Sequence, residues 1–172
     1  MINKTLFTFL ANGTPRPKQS ARFFRGRAVS VIRSDPKKML WKNQLEIAIQ
    51  NARESEDIKS FWQPSSKEPL KLTVNFVLPT KTKGRWGLPH TSRPDADNLV
   101  KFVMDVMEDY DLLPGGDSKV SDLNVTKHWG KDGGVFVELE YLYGDDANAR
   151  ESAIINNPKD LEDVGIPPEW IV

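Results

Sequence analysis

The chain of 172 residues contains no cysteine. Disulfides and thiolate-held zinc sites are therefore excluded. Its two histidines, His90 and His128, are single and unpaired in sequence, which reads as structural or surface positions rather than metal ligands. No apolar run approaches the length of a membrane span. Met1 to Ala11 alternates like a strand and does not resemble a signal peptide. A soluble, cytoplasmic protein is expected. No internal repeat is present. Net charge is absent as well, with 24 basic residues against 24 acidic ones. Taken alone, that balance argues against a polyanion ligand.

The distribution of charge reverses this impression. Residues 1–43 hold ten basic residues and one acid, whereas residues 138–172 hold nine acids and two basic residues. Such asymmetry between the ends points to a polyanionic partner, with the acidic end masking the basic end in any average.

The order of elements predicts an α+β fold, a small mixed or antiparallel sheet packed with two main helices. Leu6 to Leu10 reads as a strand, and Arg22 to Val31 as a hairpin turning near Gly26. Ser34-Asp-Pro36 starts a helix, with Ser34 as cap and the stripe Trp41, Leu45, Ala48, Ile49 and Ala52. Ser55 to Pro69 reads as a loop. Leu70, Leu72, Val74, Phe76 and Leu78 alternate as a half-buried strand. Val120–Trp129 and Val135–Tyr143 are expected to form an antiparallel pair joined by Gly130-Lys-Asp-Gly-Gly134. Residues 1–144 form the expected domain. Residues 145–172 are acidic, polar and without lasting periodicity, and they read as a mobile or loosely docked tail.

The chemistry is concentrated in Arg93-Pro-Asp-Ala-Asp-Asn-Leu-Val-Lys101 and in Gly116-Asp-Ser-Lys-Val120. Leu99, Phe102, Val103, Val106 and Tyr110 make one apolar helical stripe. Asp95 or Asp97 then caps that helix, and Lys101 shares a face with Asp97, away from the stripe. Asp117 is expected to return to the helix start. The linker from Asp111 can extend about 23 Å, against a helix of about 20 Å. Clustered carboxylates resist ionising together unless a cation lies among them, and hard oxygen donors suit Mg²⁺ or Mn²⁺. A bare D-x-D is also compatible with ordinary helix caps or with a metal-dependent transferase. The longer pattern is much more specific.

That longer pattern, Asp95-Ala-Asp97-Asn98-Leu99-Val-Lys101 followed by Asp117-Ser-Lys-Val120, resembles the RusA family of Holliday junction resolvases. These are small, dimeric, metal-dependent endonucleases of bacteria and their phages. The resemblance covers roughly Thr5 to Tyr143. It implies that Asp95, Asp97 and Asp117 hold Mg²⁺ and that Lys101 is the essential lysine. Members often carry paired acids before the last motif, where this chain has Gly116-Asp117. The segment Gly84 to Thr91 is longer than in compact members.

Two basic patches are candidate DNA contacts. The first is the loop leading into the acidic motif, with Lys81, Lys83, Arg85, Trp86 and Arg93. Trp86 is placed there to stack on a base, or else to tuck into the core. The second comprises Arg16, Lys18, Arg22, Arg25 and Arg27. Lys127 occupies a place where the family often has a basic residue. The expected partner is a branched, four-way DNA junction bound by a homodimer. The rival readings are a DNA-junction-binding protein without catalysis and a D-x-D transferase.

Overall fold

A computed structural model describes residues 6–18, 22–24, 27–29, 35–54 and 69–142. The loop expected at residues 55–68, Ser34, Arg25 and the tail lie outside the described residues. The elements in chain order are β1 (Leu6–Asn12), β2 (Arg22–Phe24), β3 (Arg27–Val29), α1 (Pro36–Glu54), β4 (Leu70–Pro79), α2 (Ala96–Asp109), β5 (Val120–Gly130) and β6 (Gly134–Tyr141). No helix among the described residues is long and apolar enough to cross a membrane.

The main sheet is four-stranded and mixed, in the order β1-β6-β4-β5. β6 runs antiparallel to both β1 and β4, while β5 runs parallel to β4. β2 and β3 form the expected hairpin as a separate two-stranded ribbon, with Phe23 opposite Ala28. In β4 every even-numbered residue from Leu70 to Leu78 is buried, as its alternation predicts. Phe7, Phe9, Ala11, Val135, Val137 and Leu139 continue this buried layer across β1 and β6. Trp41, Leu45 and Ile49 of α1 and six residues of α2 close it on the same face of the sheet. Each fully buried aliphatic side chain contributes about 1.5–3 kcal/mol. The start of α1 differs from expectation. The Asp35 carboxylate accepts the Lys37 N–H at 3.0 Å, so Asp35 is the cap and Pro36 the first helical residue.

The expected β5–β6 hairpin is not formed, because β4 lies between the two strands. Strands that flank a third are roughly 9.6 Å apart, and the link from Gly130 to Gly134 spans up to about 14 Å. It therefore passes over the end of β4 rather than turning back beside β5. The crossing is close. A Cβ on Gly130 would lie 2.4 Å from Val77 Cγ1, and one on Gly133 would lie 2.6 Å from the Gly13 carbonyl oxygen. The short glycine-rich link that suggests a hairpin in sequence serves here to clear a neighbouring strand.

Candidate active site

β4, α2 and β5 form one β-α-β crossover. α2 begins beyond the carboxyl end of β4 and runs back, so that β5 starts level with Leu70. Ligand sites of parallel sheets gather at the carboxyl ends of the strands. Here that end carries a cleft of about 740 Å³, bounded by Leu78 and Pro79 of β4, Trp129 of β5, and Asp95 and Asn98 at the start of α2. Arg16, Lys18, Lys38 and Arg93 also line it, so the cleft is mainly cationic around its acids.

Asp95 is the N-cap of α2, with extended backbone, and its carbonyl accepts the Leu99 N–H at 3.1 Å. Its carboxylate makes no capping hydrogen bond. An aspartate placed only to cap would accept from the second or third helical amide. Asp97 stands in the first turn, exposed, and Lys101 lies 3.6 Å from its Oδ2. The shared face expected for Asp97 and Lys101 is therefore present, and it points outward while Leu99, Val100 and Val103 fill the core.

Asp117 is not brought to this end of the helix. Its backbone N–H donates to Glu108 Oε1 at 2.6 Å, near the last turn of α2. The 14-residue helix separates the two ends by about 20 Å. The linker has the reach to run back along α2, but β5 begins at the opposite end of the sheet, and the chain turns there directly. Among the described residues, no group of three histidine or acidic side chains is placed to hold one metal ion. Glu108, which the sequence did not single out, stands beside this turn: a Cβ added at Gly116 would lie 3.6 Å from its Oε1.

The loop from Thr80 to Arg93 is more ordered than a solvated connection. Trp129 N–H donates to the Leu88 carbonyl, and Gly87 and His90 N–H donate to the carbonyls of Trp129 and Lys127, all at 2.8–2.9 Å. The loop thus pairs with the upper part of β5. Lower on β5, Ser121 to Asn124 are exposed. Trp86 is neither in the core nor free. It is 37% exposed, and its Nε1–H donates to the Thr80 carbonyl at 2.9 Å. The Arg85 guanidinium lies 5.8 Å from the centre of the Trp129 ring, and His90 packs on the same ring at 3.9 Å. His90 is 5% exposed, as a structural histidine should be. Burial, followed by the charge of Lys127, holds it below the usual histidine range.

The remaining basic candidates separate by what they touch. Lys81, Lys83, Arg85 and Arg93 are exposed. Arg16 is half-buried in the cleft wall. Lys18 is paired with Asp105 at 2.7 Å, and its N–H donates to the Asn98 carbonyl at 2.8 Å, which straps residues 14–18 along α2. Lys127 donates to the carbonyls of Ser92 and Pro94. Arg22 and Arg27 lie on the hairpin strands.

Comparison with known proteins places the chain in a family. Residues 12–140 match the family model described as Endodeoxyribonuclease RusA. A 39-residue stretch is 54% identical to a crossover junction endodeoxyribonuclease rusA of Lactococcus phage r1t, covering 23% of this chain and 30% of that protein. The chain thus spans under a third of the length of that curated relative in the matched region. Because the family model covers most of the chain, including both acidic motifs and strands β4 and β5, this protein belongs to the RusA family of endodeoxyribonucleases.

Proposed function

We propose that this protein is a metal-dependent, structure-selective endodeoxyribonuclease that resolves four-way DNA junctions by paired phosphodiester cuts in recombination and repair. The observation that carries the reading is the Asp95 carboxylate, left without a capping bond in a cationic cleft at the carboxyl ends of two parallel strands. The family membership and the name of the phage relative support it.

The donor set suits a hard cation. Mg²⁺ is commonly held by one or two carboxylates together with substrate phosphates. Asp95 and Asp97 are the residues that would hold it. A metal bound there supplies an activated water and stabilises charge on the phosphate. Lys101, beside Asp97, offsets negative charge that grows on the phosphate oxygens. Arg16 and Arg93 hold the strand in the cleft. No side chain need act as a covalent nucleophile.

A junction must be cut in two strands, which favours a two-fold homodimer presenting two sites. The dimer also gives Asp117 a place in the reaction. A two-fold arrangement that set the Asp117 end of one copy beside the Asp95 end of its partner would bring Asp117 to the carboxylates that would hold the metal, although it stands about 20 Å from Asp95 along its own helix.

The test is cleavage of a synthetic four-way junction against matched linear duplex, with and without Mg²⁺ or Mn²⁺. Paired, metal-dependent nicks confined to the junction are expected. Metal-independent binding without any nick points instead to a junction-binding protein.

A further inference from the structure

Lys127 lies in the interior of β5, in register with Phe76 of β4. Neighbouring register pairs, Val74 with Val125 and Leu78 with Trp129, present apolar side chains. A lysine at this position requires acceptors, because a partly buried ammonium is costly without them. It has two. Nζ donates to the Ser92 carbonyl at 3.0 Å and to the Pro94 carbonyl at 2.8 Å. Its own carbonyl accepts the His90 N–H at 2.9 Å. One residue of the sheet therefore ties the loop at residues 90, 92 and 94, up to the residue before Asp95.

We propose that Lys127 is a positioning residue that fixes the Asp95 carboxylate for the cation, and not a phosphate contact. This rests on the metal-site reading above. Asp95 has no side-chain capping bond to orient it. The backbone that carries its carboxylate is held from the loop side, where Lys127 gathers the carbonyls of Pro94 and Ser92, one and three residues before it. Two of the three ammonium donors are engaged in this way, so little is left for DNA. The same geometry separates Lys127 from the exposed Lys81 and Lys83, which make no such bonds among the described residues.

Three full-length variants test this: Lys127→Met, Lys127→Gln and Lys127→Arg. Supporting partners behind metal ligands typically carry about 10- to 100-fold in metal affinity or activity. Lys127→Met is expected to lose turnover in that range and to need more Mg²⁺ for half-maximal cleavage. Its junction affinity in metal-free buffer, and the salt dependence of that affinity, should match the parent. Amide hydrogen exchange in metal-free protein should quicken over residues 90–96. Lys127→Arg and Lys127→Gln each keep N–H donors for the two carbonyls, so both should restore slow exchange and most of the turnover. A salt slope reduced by about 0.9 in Lys127→Met would make Lys127 a phosphate contact and overturn the proposal. Unchanged exchange over residues 90–96 would overturn it too. If Lys127→Met does not fold, the Gln and Arg variants decide. Native turnover in Arg with loss in Gln would show that the charge itself is needed and that positioning is not the role. If the parent chain cuts no junction, the nuclease reading fails, and the exchange data still decide whether Lys127 holds this loop.

Discussion

The Asp117 N–H donates to Glu108 Oε1 at 2.6 Å, beside the end of the helix whose opposite end carries Asp95 and Asp97. Within one chain the acidic motif is therefore divided between the two ends of α2. The family resemblance implies one metal site for all three aspartates, and the homodimer proposed above would reconcile that implication with the separation.

Subunit mixing distinguishes sites built within one chain from sites built between two. Asp95→Asn and Asp117→Asn proteins are each expected to be inactive alone. Mixed under conditions that exchange subunits, they form heterodimers in which one of the two sites has both aspartates. Nicking of one junction strand should then return. Continued inactivity in a verified heterodimer would place Asp117 with Asp95 of its own chain, or outside the site.

Asp95→Asn and Asp97→Asn should each lower cleavage by at least about 100-fold, since every 1.4 kcal/mol of lost transition-state stabilisation is tenfold and the metal supplies several. Junction binding without metal should hold or improve, because phosphate approaches one fewer negative charge. Lys101→Ala should lose about 100-fold or more in turnover with little change in metal affinity. Single-turnover cleavage under metal titration measures all three. Normal cleavage by Lys101→Ala would reduce the 3.6 Å contact to a surface ion pair with Asp97.

The exposed loop lysines should set salt dependence. Replacing Lys81 and Lys83 together by Ala is expected to reduce the slope of log K against log[salt] by up to about 2 and to weaken junction and duplex binding alike. Trp86→Ala should weaken junction binding more than duplex binding, with the slope little changed. The Trp86 bond to Thr80 closes only its own loop, so its loss should cost about 1 kcal/mol of stability. An unchanged slope in the double variant removes this loop from the DNA interface.

His90 gives an acid-side signature. Its proton affinity is lowered in the folded state, first by burial. The unfolded chain takes up the proton near pH 6.5 while the folded chain resists it, so His90's contribution is present above that pH and is lost as the pH falls below it. His90→Phe keeps a ring for Trp129 to pack on and removes the titration. Denaturant midpoints at about pH 7.5 and pH 5.5, either side of the free-histidine value, should differ less in the variant. An equal acid-side loss in both proteins would assign the effect to carboxylates.

Local periodicity in the sequence was enough to set much of this molecule. The alternation of β4, the stripe of α1, and the helix with Asp95 at its cap and Lys101 one turn beyond Asp97 all depend on residues within a few positions of one another. Partners across the fold were decided only in three dimensions. A link of three residues with glycine at both strand ends fits a hairpin and a crossing over β4 equally well, and the choice depends on which strand takes the free edge of β4. That choice set β5 parallel to β4 and left Asp117 beside Glu108. It also delivered Lys127 to the carbonyls of Ser92 and Pro94, and the strap from residues 14 to 18 gave Lys18 to Asp105. A charged residue shows in sequence only that it needs a partner or water. Which of these it finds depends on strand order, because backbone hydrogen bonds and the buried face are satisfied by the whole sheet together.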